Sequence, residues 1–252
     1  MTRLTEIEQF LAQTMRVDSI ADHHPNGVQV RGRESVEKIV SGVSACQAIF
    51  DAAVAAEADL VLVHHGMFWD QDPRVVEGSL KERLKTLLQH DLTLMAYHLP
   101  LDCHPVLGNN AQILSRLGLE AGEPFGHYHG TALSHVGRCV SPLSIHEFSR
   151  QVRDLFGGEP LVLPFGPESV RHVAVCSGAA PALIREARAL GADLFLTGEG
   201  TEYIYHFARE EKLHFMAAGH HRTEKFGVQA VGELLAARYG IHHQFIDINN
   251  PL

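Results

Sequence analysis

Short apolar runs rich in β-branched residues alternate with longer amphipathic stretches along most of the chain. The opening MTRLTEIEQFLAQTM carries Leu4, Ile7, Phe10 and Leu11 on one stripe with Glu6 and Glu8 early in it, the pattern of an amphipathic helix. From residue 37 the period switches back and forth. EKIVSGVS reads as a strand, CQAIFDAAVAAEA as a helix, DLVLVHHG as a strand, SLKERLKTLLQH as a helix, LTLMAYH as a strand and GNNAQILSRLG as a helix. The alternation returns at Val170 with VRHVAVCSG, APALIREARALG, DLFLTGEG, EYIYHFAREE, LHFMAAGH, GVQAVGELLAARYG and HHQFIDI. Between the two series lie a strand TALSHVGRCV, a helix opened by the capping box Ser144-x-x-Glu147, and a short strand PLVLP. This is the βαβ signature. It predicts an α/β fold of two related units, 1–120 and 121–252, the second including the less regular segment 121–170. Each has a mainly parallel or mixed sheet flanked by helices, with ligands at the carboxyl ends of the strands.

The two series align. ADLVLVHHG at 58–66 lies without gaps on ADLFLTGEG at 192–200, an offset of 134 that also pairs Ile39 with Val173. After the next helix the offset falls to 122, which places His98 over His220 and Asp102 over Glu224. Two copies of one unit is one explanation, and the general likeness of all βαβ units is the other.

Composition excludes several classes. A chain of 252 residues with 45% hydrophobic residues buries a real core, so disorder and fibre are out. Lys and Arg number 21 against 30 Asp and Glu, and the net charge of -9 disfavours a broad nucleic-acid-binding face. No stretch approaches the ~18 consecutive apolar residues of a membrane span. Cys46, Cys103, Cys139 and Cys176 form no C-x-x-C pair, which fits a reducing compartment and predicts a cytoplasmic location. The unusual count is 18 histidines, which invites a search for metal-ligand spacing.

His64 and His65 end a buried apolar run just before Gly66, where a strand opens into a loop. Adjacent strand side chains point to opposite faces, so two neighbouring ions taking one imidazole each fit better than a single ion. A satisfied pair of strand-end histidines is the plain alternative. His220 and Glu224 are four apart and share a face if helical, at the end of another strand; an ordinary pair on a solvated helix is the plain alternative, and His221 beside them is an outer or substrate group or simply exposed. His98 and Asp102 have the same separation, but Pro100 pushes Leu99 toward an extended conformation, so only one of them is expected to ligate. Asp102, a carboxylate that can bridge two ions, is the choice, and His98 becomes the proton-transfer candidate, with His104 weaker. Three imidazoles and two carboxylates leave coordination positions open on two ions, the mark of a catalytic site. Nitrogen and oxygen ligation without thiolate suits Zn, Mn, Fe, Co or Ni. Glu199 in T-G-E-G reads equally as a wall residue or as a helix-entry carboxylate. Asn26 and Gln29 in H-P-N-G-V-Q-V read chiefly as turn residues, and Cys103 as inert.

Together these motifs resemble the Nif-three-like family, whose bacterial members carry the label GTP cyclohydrolase type 2 homolog and which is also called the dinuclear metal-centre protein family. The resemblance rests on N-G-V-Q-V at 26–30, H-H-G-M-F-W at 64–69, H-L-P-L-D at 98–102, G-N-N at 108–110, T-G-E at 197–199 and G-H-H-R-T-E at 219–224, in the family's order across nearly the whole chain. It implies two divalent metals held by His64, His65, Asp102, His220 and Glu224, the same five residues. It also implies a two-domain protomer of the compact bacterial form and a toroidal homohexamer with the metal sites facing its interior. The expected activity is metal-dependent hydrolysis of a nucleotide or related heterocycle, with GTP as the labelled case and His98 or a neighbour moving protons. A regulatory, adaptor or metal-storage protein without hydrolase activity is the alternative. Binding to nucleic acid is disfavoured by the acidic balance.

Overall fold

The computed structural model describes residues 2–252. They form two compact α/β units, and the chain passes between them three times: residues up to 101 and 227–249 make the first, 102–226 and 250–252 the second. The division thus differs from the expected one near residue 120, because the C-terminal helix and strand return to the first sheet.

In the first unit, β1 (Thr2–Arg3) leads into α1 (Leu4–Met15), followed by β2 (Gly27–Val30), β3 (Ser35–Val36) and β4 (Lys38–Ser44). Next come α2 (Gln47–Ala55), β5 (Leu60–His65), α3 (Gly78–Gln89), β6 (Thr93–Ala96) and the single turn α4 (Leu99–Asp102), which carries the chain out. In the second unit the order is α5 (Asn109–Arg116), β7 (Leu119–Tyr128), β8 (Thr131–Leu143), α6 (Ile145–Phe156), β9 (Leu161–Pro164), β10 (Val170–Cys176) and α7 (Ile184–Ala189). It continues with β11 (Leu194–Thr197), α8 (Glu202–Glu210), β12 (His214–Ala217) and α9 (His220–Thr223), before α10 (Lys225–Tyr239) and β13 (His242–Phe245) complete the chain. No described helix is long and apolar enough to cross a membrane.

The first main sheet has the order β13-β4-β5-β6-β2 and the second β7-β8-β10-β11-β12-β9. In each, three parallel strands, β4-β5-β6 and β10-β11-β12, end on an antiparallel edge strand that precedes them in sequence, β2 against β6 and β9 against β12, and β13 adds a fourth parallel strand to the first. The likeness extends to the register. Ile39 faces Leu60 as Val173 faces Leu194, and Leu60 faces Thr93 as Leu194 faces His214, giving constant offsets of 134 and then 121. Asp59 accepts the backbone N–H groups of Glu37 and Lys38, and Asp193 those of Arg171 and His172, at the same offset. Two copies of one unit is therefore the right description. The offset of 121 persists one residue beyond the strands, where Tyr97 and Ala218 donate to Val63 and Thr197. By register His98 falls on Gly219, so the expected pairing of His98 with His220 is one residue out.

Apolar runs are continuous because these strands are covered on both faces. Alternate residues of β11 enter different cores: Leu194 and Leu196 pack with Phe148, Val173 and Met216, while Phe195 packs with Phe125 and Phe215. In the first unit Val61 and Val63 of β5 join Val40, Phe50 and Leu94. The capping box at Ser144 forms as expected, Ser144 N–H donating to Glu147 Oε2 at 2.8 Å. Two local expectations fail. Residues 99–102 are helical, since a proline in the first turn of a helix lacks only an N–H that would have no helical partner there. β7 was not expected, because Gly122, Pro124 and Gly126 interrupt its pattern; pairing with β8, with a register shift between Ala121 and Pro124, creates it.

Candidate metal centre

β5 ends in His64 and His65, and β6 ends just before His98, so the parallel pair delivers three imidazoles to one end of the first sheet. The ring centroids lie 4.6 Å apart for His64 and His65, 5.1 Å for His64 and His98, and 5.6 Å for His65 and His98. One ligand atom from each of the three lies within 4.8 Å of the others. The adjacent pair His64 and His65 therefore converges, helped by the loop that starts at Gly66.

Each ring is oriented by a polar group at Nδ1. The His64 Nδ1–H donates to the carbonyl of Tyr97 at 2.9 Å, which leaves the lone pair on Nε2. His65 Nδ1 lies 3.2 Å from the hydroxyl of Ser44. His98 Nδ1 lies 2.9 Å from Asp22 Oδ1, and the backbone N–H of His98 donates to Asn26 Oδ1 at 2.8 Å. Burial pushes the Asp22 carboxyl up, but hydrogen bonds and charge from His98, with Asn26 and the Leu99 N–H, hold it below the usual carboxylate range. A carbonyl or carboxylate on one ring nitrogen is the usual support for a histidine that ligates through the other.

His24 and Gln29 brace the loop after β5. Gly66 N–H donates to His24 Nε2 at 2.8 Å and Met67 N–H to Gln29 Oε1 at 2.8 Å. Burial, followed by the charge of His98, holds the His24 imidazole down to about 4. Asn26 and Gln29 are thus turn residues that also fix the backbone of the histidine group.

In the second unit, the loop after β10 gathers the remaining residues. Ser177 Oγ lies 3.3 Å from Asp102 Oδ1, which also accepts from Asn109 Nδ2 at 2.9 Å. Gly178, at φ +68, leaves the space that Glu224 fills: a Cβ there would sit 2.3 Å from Glu224 Oε1 and 3.4 Å from His220 Nε2. Glu224 and Asp102 are both buried, and burial together with their charge pushes the Cys176 thiol up. His220 places Nδ1 2.5 Å from Glu199 Oε1 and Nε2 3.2 Å from Glu224 Oε2. Burial works to lower its pKa, but the two carboxylates outweigh burial and raise it to about 9. Glu199 is therefore the group that orients His220. It is the counterpart of Asp22 on His98, and the sequence carried only the T-G-E motif as its signal.

The five expected ligands thus fall into two groups, His64 and His65 in the first unit and Asp102, His220 and Glu224 in the second. His98, expected to move protons, stands within the first group. His104 turns away, its Nδ1 accepting the N–H groups of Val106 and Leu107. His221 is buried, and its N–H donates to the Leu252 carbonyl. Sequence reading missed Asp22 and His24, which carry no spacing signal because their partners lie 76 and 42 residues away. The donor chemistry fits a divalent cation that favours imidazole and carboxylate.

The family model described as Duf34/NIF3 (NGG1p interacting factor 3) matches residues 2–251. A Pseudomonas aeruginosa protein named GTP cyclohydrolase 1 type 2 homolog is 49% identical over 232 residues, covering 92% of each chain. A solved structure described as protein ybgI, of unknown function, superposes with a TM-score of 0.95 at 42% identity over the whole of both chains. A Thermus thermophilus protein superposes at 0.92 with 34% identity, again over the whole of both.

Proposed function

This chain belongs to the Duf34/NIF3 family, and from that premise we propose that it is a dinuclear divalent-metal hydrolase acting on a nucleotide or related heterocycle. The observation that carries the reading is the convergence of His64, His65 and His98, with ligand atoms within 4.8 Å and each ring anchored at Nδ1. In this reading His64, His65, Asp102, His220 and Glu224 hold two ions of Zn, Fe, Mn, Co or Ni. The ions, when bound, supply Lewis acidity and make coordinated water more acidic.

The chain's own groups do the rest. Asp22 holds the Nδ1–H of His98, so that Nε2 is the atom that accepts and returns a proton, and the carboxylate stabilises the cationic ring in between. Glu199 and Ser44 keep the rings of His220 and His65 from turning. Glu224, buried against Gly178, supplies a second carboxylate to ligate and to take up a proton.

The grouping of the three imidazoles favours a second assignment for His98, as a nitrogen ligand. H98Q separates the two. A proton carrier is lost with metal content intact, whereas a ligand is lost together with metal.

The name carried by the relatives makes GTP the first substrate to try. Metal-loaded protein incubated with GTP is expected to release formate, with the E224A variant at background. Equal signals from the two remove GTP as substrate. A protein whose ions only regulate, or are stored for delivery, shows no turnover and no inhibition by small anions. The reading places the protein in the cytoplasm as a toroidal homohexamer, and sedimentation at six times the chain mass tests the assembly.

A further inference from the structure

We propose that the cavity beside Trp69 in the first unit seats a nucleoside phosphate, the heterocycle against Trp69 and the phosphate against Arg74 and Arg83. The proposal rests on the hydrolase reading above and supplies its substrate pocket.

The cavity measures about 830 Å³ and is walled by the loop after β5, the segment 72–77 and the first turns of α3, within the range of roughly 300–1,000 Å³ that holds small ligands. Trp69 is half-buried and joins this wall to the histidine group. Its ring lies 4.7 Å from His24, 5.1 Å edge-on from His98 and 6.1 Å from His65. A flat ring resting on Trp69 is thereby placed next to the imidazoles.

Two N–H donors on the wall have no acceptor among the described residues. Gly66 occupies the lone pair of His24 Nε2, so the proton of this 4% exposed ring is on Nδ1, which has no partner. Arg83 Nε is buried and equally unmatched. Native proteins seldom bury donors this way, which marks the wall as a place where the chain's own bonding is incomplete. Among the described residues, neither Arg74 nor Arg83 enters an ion pair.

Most of the acids on the same wall are engaged. Asp22 is held by His98, Asn26 and Leu99, Asp70 pairs with His23 at 3.6 Å, and Asp72 accepts the Trp69 N–H at 3.0 Å, which leaves Glu77. The wall thus offers two uncommitted guanidinium groups. An inorganic anion alone would leave the half-buried Trp69 and the exposed Val75 and Val76 uncovered. A ligand with a flat aromatic part and an anionic part matches both.

Trp69 is the single tryptophan of the chain, so its emission reports on this cavity directly. The full-length protein, as purified and again after EDTA treatment, is titrated with GTP, guanosine and inorganic triphosphate. GTP is expected to change the emission saturably, and the two fragments to bind at least roughly tenfold more weakly, about 1.4 kcal/mol each. R83Q and R74Q, checked for native circular dichroism, are expected to weaken GTP by a similar factor while moving guanosine little. Arg74 lies on an exposed loop, so R74Q remains informative if R83Q folds poorly.

No saturable change in either form, with no GTP retained in equilibrium dialysis, overturns the proposal, as does binding that neither variant alters. GTP that binds through Arg83 yet releases no formate keeps the cavity and removes GTP as the hydrolysed substrate. Formate released by R83Q and R74Q at the unaltered kcat/KM does the reverse.

Discussion

His64 and Tyr97 are joined across neighbouring parallel strands: the imidazole Nδ1–H donates to the carbonyl oxygen at 2.9 Å, and the ring it holds is fully buried. The bond goes to the backbone, so no substitution of Tyr97 removes it, and strand register sets where the acceptor for His64 lies. H64A is expected to lose bound metal with the secondary structure unchanged. S44A, which removes the hydroxyl beside His65 Nδ1, is expected to weaken metal binding by about 10- to 100-fold. Metal content after dialysis against graded chelator checks both. Full occupancy in H64A would falsify the ligand assignment.

Gly198 sits where the second group is closed. A Cβ there would lie 2.6 Å from the Gly178 carbonyl oxygen and 2.8 Å from His220 Cα. Both are backbone atoms and cannot swing aside, so G198A is expected to shift His220, to weaken metal retention and to cost roughly 1–3 kcal/mol of stability. Urea unfolding and metal analysis of one preparation measure the two effects. A variant with native values in both removes the close approach as a constraint.

Asp59 and Asp193 repeat one device. Each carboxylate accepts two backbone N–H groups at the start of the first parallel strand of its unit, at 2.8 and 3.0 Å for Asp59 and at 2.8 and 2.9 Å for Asp193. D59A and D193A are each expected to lower unfolding stability by about 1–3 kcal/mol, the cost of leaving such donors unmatched. D59A should be the worse, because Arg33 also loses its 3.0 Å partner. Denaturant midpoints at constant slope give the comparison.

His214 supplies a pH dependence away from the metal residues. Gly166 N–H donates to its Nδ1 at 3.0 Å, and its Nε2–H donates to the Pro167 carbonyl at 2.8 Å, so the fold selects the neutral ring. Burial lowers its pKa, outweighing the Pro167 bond and the charge of Asp193. A folded pKa below the unfolded 6.5 means that the contribution is complete above about pH 6.5 and is lost as the pH falls toward the folded value. The stability gap between the wild-type protein and H214N, both metal-free, is therefore expected to narrow between pH 7.5 and 5.5. A gap that widens on acidification contradicts the neutral ring.

Much of this was legible because it is written in local chemistry. β5 and β11 are unbroken apolar runs ending in polar residues, and their common offset of 134 survives unchanged in the strand register. The less legible parts depend on distant partners. Nothing in D-H-H-P-N-G says that Asp22 will meet His98, 76 residues on. The run 119–128 reads as broken until β8 lies beside it. Pro100 reads as a reason against a helix, whereas the chain places it in the first turn of α4, where its missing N–H costs nothing. The division of the chain was misplaced for the same reason, since only the pairing of β13 with β4 shows that residues 242–245 belong to the first sheet.

That pairing bears on the order in which the molecule is made. β4 is synthesised early, yet its outer neighbour β13 is some 200 residues away. On the ribosome the interposed 102–226 segment can reach its folded state before the unit that begins the polypeptide has its full set of strands. Until the final helix and strand emerge, one side of β4 stays open to any passing extended chain, and a nascent protein stalled before residue 242 carries that sticky margin with it.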